Sequence, residues 1–380
     1  MDTVHSHGWV IADGVRTGCY ERALRATVRP GDVVLDLGTG TGIFAVVACQ
    51  AGARRVFAVE FTDAIWAARE VARANGCAER IMFIQDLSTR IDLPEKAHVI
   101  VSEIHGALPM YKQGLRSLID ARTRHLCPGG AILPRRDQVW IALVEAAEFY
   151  ELRTGVWRRN PAGVDLSTLR PHSVNLPFHC HVAASQLIGE PRLWATLDYR
   201  TLDTTHVAGT ARWQVENAAT AHGLLAWFDC ELSDDIAFSS HPAQPPTIFG
   251  QLYLPWLEPV SLQPGDYVEV SVRADPGPED YCFRWDTTVW DSKRTAKANF
   301  RQSNFLASTI SPDELRKRAS AYTPRLSPGG EVERFVLEMM DGRRSLADIA
   351  ASLQQRHPGL FTSRQEALDR VADISRRCSE

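Results

Sequence analysis

The chain has 380 residues, 44% of them hydrophobic, which is enough for two or three domains with buried cores. Its formal charge of −4, from 42 Lys and Arg against 46 Asp and Glu, excludes a global field that would draw it to nucleic acid or to an anionic membrane. Eight cysteines are scattered without a C-x-x-C pair, which argues against zinc ribbons and a disulfide framework and suits a reducing cytoplasm. No signal-peptide pattern or apolar run of about 18 residues is read as a targeting segment or membrane span.

From residue 1 to about 134, short apolar runs alternate with helical patterns. VVLDL (33–37), RVFAVE (55–60), IMFIQD (81–86) and HVIVSE (98–103) read as strands. IFAVVACQAGA, AIWAAREVARANG and YKQGLRSLIDARTRHL read as the helices between them. This alternation predicts βαβ units and a parallel sheet covered on both faces. From 135 to 312 the pattern changes to β-rich segments such as GLLAWFDCEL and DYVEVSVRA, with the turn spacing of an antiparallel barrel or sandwich. Residues 313–380 open on a Pro-rich lead and continue as three amphipathic helical stretches, the size of a small module.

Gly38, Gly40 and Gly42 stand between the first strand and a helix, with Asp36 before them and Glu60 at the tip of the next strand. Glycines there let the backbone approach a ligand, and an acid at the second strand's end can accept both hydroxyls of a ribose. The D-x-G-x-G-x-G spacing departs from the G-x-G-x-x-G of dinucleotide enzymes and resembles the first motif of class I S-adenosylmethionine-dependent methyltransferases.

Within that class the chain resembles the protein arginine methyltransferases over about residues 10–300. DGVRTGCYERAL (13–24) is similar to that family's D-x-x-R-T-x-x-Y-x-x-A helix, which implies that Arg16 pairs with the cofactor's carboxylate, a role suited to a guanidinium. ARRVFAVE resembles the ribose-binding stretch, and DLSTRIDLPEKAHVIVSE the run from the adenine pocket to the catalytic strand, placing Asp86 and Ser88 beside the adenine. SEIHGALPMYKQGL (102–115) resembles the double-glutamate loop, in which two carboxylates grip a guanidinium. Glu103 matches the first glutamate, and Lys112 stands in place of the second. An ammonium there replaces attraction for a cation by repulsion, so histidine is favoured over arginine as the acceptor. PPTIFGQLYLPWLEP (245–259) departs from the family's T-H-W-x-Q segment, with Ile248 for the histidine that helps position the acids and Phe249 for the tryptophan. His105, next to Glu103, adds a titratable group that can act as a base or orient a substrate. Glu103, His105 and Lys112 are therefore the catalytic candidates. Arg16, Asp36, Gly38, Gly40, Gly42, Glu60, Asp86 and Ser88 are the cofactor candidates, S-adenosylmethionine is the expected cofactor and S-adenosylhomocysteine its product.

The resemblance selects a β-barrel over residues 135–312, with a dimerisation arm at about 155–188 and hence a homodimer. His179 and His181 share a strand face but lack a third ligand, so no metal is expected. YTPRLSPGGEVERF and the SLADIA run after Asp341-Gly342 resemble the PqqD-like winged-helix modules that hold leader peptides in ribosomal peptide biosynthesis. DNA binding by such a fold is disfavoured by the absence of a basic surplus. The expected fold is thus a Rossmann-like parallel-sheet domain (1–134), a β-barrel domain (135–312) and a winged-helix-like module (313–380). The expected activity is N-methylation of a peptide or protein side chain, the peptide being a leader-bearing precursor. Arginine methylation in a rebuilt pocket and non-catalytic cofactor or peptide binding are the alternatives.

Overall fold

The structure, a computed structural model, describes residues 4–379 other than 104 and 160. The chain divides into two compact units, Met1–Thr309 and Ile310–Glu380.

The first unit begins with α1 (Val4–Ala12) and α2 (Gly14–Thr27), then builds a parallel sheet from β1 (Val33–Leu37), β2 (Arg55–Val59), β3 (Ile81–Ile84), β4 (Ala97–Ser102) and β5 (Leu126–Leu133). The helices α3 (Ile43–Gln50), α4 (Ala64–Ala74) and α5 (Gly114–His125) connect its strands. Every residue of β1 is buried, as a central strand covered on both faces requires. On α4 the buried Ile65, Ala68 and Ala72 recur at helical spacing, so one stripe faces the sheet. Strand order is β3-β2-β1-β4-β5, so the winding direction reverses between β1 and β4. A crevice opens at the strand carboxyl ends where the order reverses.

After β5 the chain enters β6 (Arg136–Val144), α6 (Ala147–Thr154), α7 (Arg170–Ser173) and β7 (Phe178–Cys180). The strands β8 (Leu187–Asp198), β9 (Val207–Gln214), β10 (Ala219–Glu231), β11 (Ala237–Ser239), β12 (Gln251–Leu262), β13 (Tyr267–Pro276), β14 (Tyr281–Trp290) and β15 (Ala296–Ser303) follow. They form a six-stranded sheet, β7-β12-β10-β6-β8 with β11 beside β10, and a four-stranded sheet, β15-β14-β13-β9. Along β13 the buried Val268, Val270, Val272 and Ala274 alternate with polar residues, so one face of the sheet meets the core. The closed barrel expected here is two separate sheets, and no ladder joins them among the described strands. Alternation alone could not separate the two arrangements, because both bury one face of each strand.

The second unit holds α8 (Pro312–Lys317), α9 (Pro328–Met339), α10 (Leu346–Arg356) and α11 (Arg364–Cys378). The last three close on Val332, Val336, Ile349, Leu353, Val371 and Ile374. Ser327, Ser345 and Ser363 cap them, each accepting from the backbone N–H three residues on. No strand occurs among the described residues of this unit, so the expected wing is missing. Pro324 and Pro328 remove backbone donors from the lead in which such a strand would have to form. Among the described residues no helix is long and apolar enough to cross a membrane.

Candidate active site

Leu37 of β1 pairs in register with Val59 of β2 and with Ser102 of β4. Gly38, Glu60 and Glu103 are consequently the first residues beyond three adjacent strand ends. They line a cavity of about 450 Å³ with Arg16, Gly40, Asp86, Ser88, His105 and Lys112. The register of one sheet brings these candidates together.

On the nucleoside side, the glycine loop is held by Glu60, whose carboxylate accepts from the Gly40 N–H at 3.1 Å and from the Thr62 N–H at 2.9 Å. Gly42 adopts φ 84° at the start of α3, and a Cβ there would lie 2.9 Å from the Cβ of Ala68 on α4. Only glycine permits both that conformation and that approach. Asp36 and Gly42 do not line the cavity. Asp36 is buried beneath the loop, accepts from the Thr39 hydroxyl at 2.5 Å, and burial raises its pKa to about 7. Both residues shape the loop from behind. His7 on α1 lies against Gly40 and closes the cavity from a helix in which the sequence suggested no site.

On the acid side, Asp13 caps α2 through the Arg16 N–H at 3.0 Å and accepts from the Ile248 N–H at 2.8 Å. The segment lacking the family's histidine is thereby tied to the helix that carries Arg16. The Arg16 guanidinium, buried against Tyr20 and Phe44, donates to Glu103 through Nε at 2.9 Å and through Nη2. His105 lies on the other side of the carboxylate, with Nδ1 3.4 Å from Glu103 Oε1 and Nε2 2.8 Å from Asp137 Oδ2. The Tyr199 hydroxyl also donates to Asp137, which is wholly buried. The imidazole stacks on Phe228, ring centroids 5.2 Å apart, and meets Phe249 edge-on at 5.8 Å. His105 is thus a buried link between two carboxylates and does not stand free to take a proton from substrate.

Burial alone would raise the pKa of Glu103, but Arg16 and then His105 outweigh it and hold it at about 2. Burial would depress that of His105, but Asp137 and Glu103 hold it at about 9. At neutral pH Glu103 is therefore an anion and His105 a cation, set in a row between Arg16 and Asp137. The side-chain atoms of His105, Asp137 and Cys230 lie within 4.8 Å of one another. Burial and the neighbouring Asp137 raise the Cys230 thiol's pKa, so it sits there as a neutral group beside a hydrogen-bonded ion pair.

Lys112 lies on the rim with φ 47°, its ammonium 4.9 Å from the Tyr111 ring centroid and its backbone N–H donating to Asp280 at 2.7 Å. Tyr111 packs across Gly106, where any Cβ would fall 2.7 Å from the ring. The sequence reading missed Asp137, Tyr199, Tyr111 and Glu279. Asp137 did leave a signal, since on β6 it falls in phase with the buried Val139 and Ile141, where a carboxylate needs a partner.

Residues 135–290 match the family model for the arginine methyltransferase oligomerization subdomain, and residues 17–133 match that for ribosomal protein L11 methyltransferase. A probable protein arginine N-methyltransferase 6 of Arabidopsis thaliana is 28% identical over 324 residues, covering 73% of this chain and 74% of the relative. The chain is an S-adenosylmethionine-dependent methyltransferase resembling the arginine methyltransferases. Among solved structures, Arabidopsis thaliana protein arginine methyltransferase 10 superposes on this methyltransferase with a TM-score of 0.69 at 24% identity, covering 79% of this chain and 97% of its own. The Trypanosoma brucei PRMT1 enzyme–prozyme complex with AdoHcy gives 0.72 at 23% identity, covering 78% and 96%. These likenesses establish the fold of the first unit, a parallel-sheet domain followed by antiparallel sheets.

Proposed function

We propose that this methyltransferase N-methylates a basic side chain of a protein or peptide at the cavity floored by Glu103. The observation that carries the reading is a buried carboxylate kept anionic at the point where the parallel sheet's winding reverses. S-adenosylmethionine supplies a methyl group already activated by its sulfonium, so the chain's own residues need only bind, orient and exclude water. Arg16 is assigned to the cofactor's carboxylate, Glu60 to the ribose hydroxyls, and Asp86 and Ser88 to the adenine side. Gly38 and Gly40 offer close backbone approach, and Asp36 and Gly42 support the loop. Glu103 receives the acceptor nitrogen, and His105 orients Glu103.

Histidine as acceptor is supported by Lys112, and arginine by the names of the relatives. A homodimer through residues 155–188 is supported by the matched oligomerization subdomain and by exposed Val156, Val164, Leu169 and Leu176 in that segment. The 313–380 module is assigned to peptide capture. Its exposed Leu337, Leu346 and Leu360 support an apolar groove contact, in place of strand addition to a sheet. The test is mass spectrometry of leader-bearing precursor peptides and arginine-rich proteins incubated with enzyme and S-adenosylmethionine. Added methyl mass on a histidine or arginine, lost in Glu103→Gln, supports the reading. Methylation confined to carboxylate or hydroxyl oxygens refutes it.

A further inference from the structure

The turn joining β13 to β14, Gly277-Pro278-Glu279-Asp280, reaches the cavity from the four-stranded sheet. It is pinned at several points. The Gly277 N–H donates to the Asp280 carbonyl at 3.0 Å. The Asp280 carboxylate accepts from the Lys112 N–H at 2.7 Å and from the Tyr281 N–H at 2.8 Å. The Gln113 amide donates to the Gly277 carbonyl at 3.1 Å. So anchored, the turn places Glu279 in the cavity lining alongside Lys112, Tyr111 and Glu103.

Four carboxylates line this cavity among the described residues. Glu60 is occupied by the glycine loop, and Asp86 sits on the nucleoside side, where its Oδ1 accepts from the Leu87 N–H at 2.6 Å. Glu103 lies between two cations. Glu279 adds a further carboxylate for an incoming side chain, brought to the same cavity on the β13–β14 turn, whereas Glu103 follows β4. Two carboxylates lining one cavity can fork one planar guanidinium, each accepting from different N–H groups.

Resting on the function proposed above, we propose that Glu279 is the specificity-determining carboxylate that receives the acceptor's cationic side chain. It supplies from the β13–β14 turn the second acid that Lys112 displaces from the loop after β4. Glu279 is not among the residues assigned above to the methyl donor, so its replacement should change cation selectivity while leaving S-adenosylhomocysteine affinity in the absence of acceptor unchanged.

The experiment uses the full chain and two probes, a glycine-flanked peptide with one arginine and the same peptide with citrulline, which is neutral and nearly isosteric. Binding is measured by calorimetry with S-adenosylhomocysteine present, for wild type and Glu279→Gln. Wild type is expected to prefer the arginine peptide at least about tenfold, as a charge-assisted pair supplies. Glu279→Gln should lose most of that preference while binding S-adenosylhomocysteine as wild type does. Equal binding of the two peptides by wild type, no binding of either, or undiminished preference in Glu279→Gln each overturns the inference. Failure of wild type to bind S-adenosylhomocysteine overturns the underlying reading instead.

Discussion

The most informative perturbation is His105→Phe, which keeps a ring against Phe228 and Phe249 while removing the cation between two carboxylates. Asp137, wholly buried, would lose its charged partner and keep the Tyr199 hydroxyl and the neighbouring Cys230 thiol. Breaking a buried ion pair from one side costs roughly 3–5 kcal/mol, because the remaining charge is left uncompensated. At about 2.1 cal/mol/K of unfolding entropy per residue, the unit Met1–Thr309 loses roughly 5–8 °C of Tm. The double variant His105→Phe/Asp137→Leu removes both partners and should recover more than half of that loss, since replacing a buried pair by apolar groups is close to neutral. It should not recover methyl transfer, because Glu103 still lacks its support.

The sign of the pH dependence follows from the raised pKa. The stability contributed by protonated His105 is fully present below its ordinary value of 6.5 and is lost as pH rises through about 9. The gap in Tm between wild type and His105→Phe should therefore be wide at neutral pH and narrow above about 9. Scanning calorimetry across that range measures it. A single variant within about 1 °C of wild type, or a double variant whose loss equals the sum of the two singles, would refute the coupled pair.

Glu103→Gln should reduce methyl transfer at least about 100-fold while leaving calorimetric binding of S-adenosylhomocysteine within a few-fold of wild type. Gly42→Ala forces a left-handed residue and a methyl into Ala68, so it should destabilise the first unit by roughly 2 kcal/mol or more and weaken cofactor binding, read by thermal shift with and without cofactor. The rate of methyl transfer to an arginine peptide should be flat between about pH 7 and 8 and fall as His105 deprotonates near 9, and this limb should be absent from the residual activity of His105→Phe. The same peptide should bind more weakly without S-adenosylhomocysteine than with it, as paired calorimetric titrations would reveal.

The parallel sheet was legible because its strands are continuous apolar runs closed by glycines or acids, and Gly38, Glu60 and Glu103 were recognisable as the residues that end them. What surrounds Glu103 was not legible. Asp137 lies 32 residues from His105 in sequence and Glu279 enters on a turn of another sheet, so their meeting depends on how the antiparallel sheets pack on the parallel one. The exchange of Lys for Glu at position 112 was visible, yet its consequence was not, since a left-handed backbone and a hydrogen bond to Asp280 set where that side chain goes. His105 looked like a base or a substrate-orienting group for a related reason. Proximity to Glu103 could be read from the sequence, whereas the second carboxylate that fixes its proton could not.

In the cofactor-free arrangement, with Arg16 and His105 on either side, the pKa of the Glu103 carboxyl is held at about 2 and the group is a weak base. On the function proposed above, its use is that of a fixed anion, pre-oriented against the positive charge that the acceptor carries or acquires as the methyl group arrives. In the cofactor-free arrangement, however, Arg16 already satisfies part of that anion. The guanidinium assigned to the cofactor's carboxylate is thus the same one that masks Glu103. A carboxylate arriving with the cofactor competes for Arg16, and each increment of pairing it takes is one that Glu103 can offer to the acceptor. His105, the other group that lowers the pKa of Glu103, remains on its far side and still opposes protonation of the freed carboxylate. On the assignment of Arg16 proposed above, the two substrates would be coupled through one arginine, and such coupling is reciprocal, so a cationic acceptor should tighten cofactor binding by the same factor that the cofactor tightens the acceptor's.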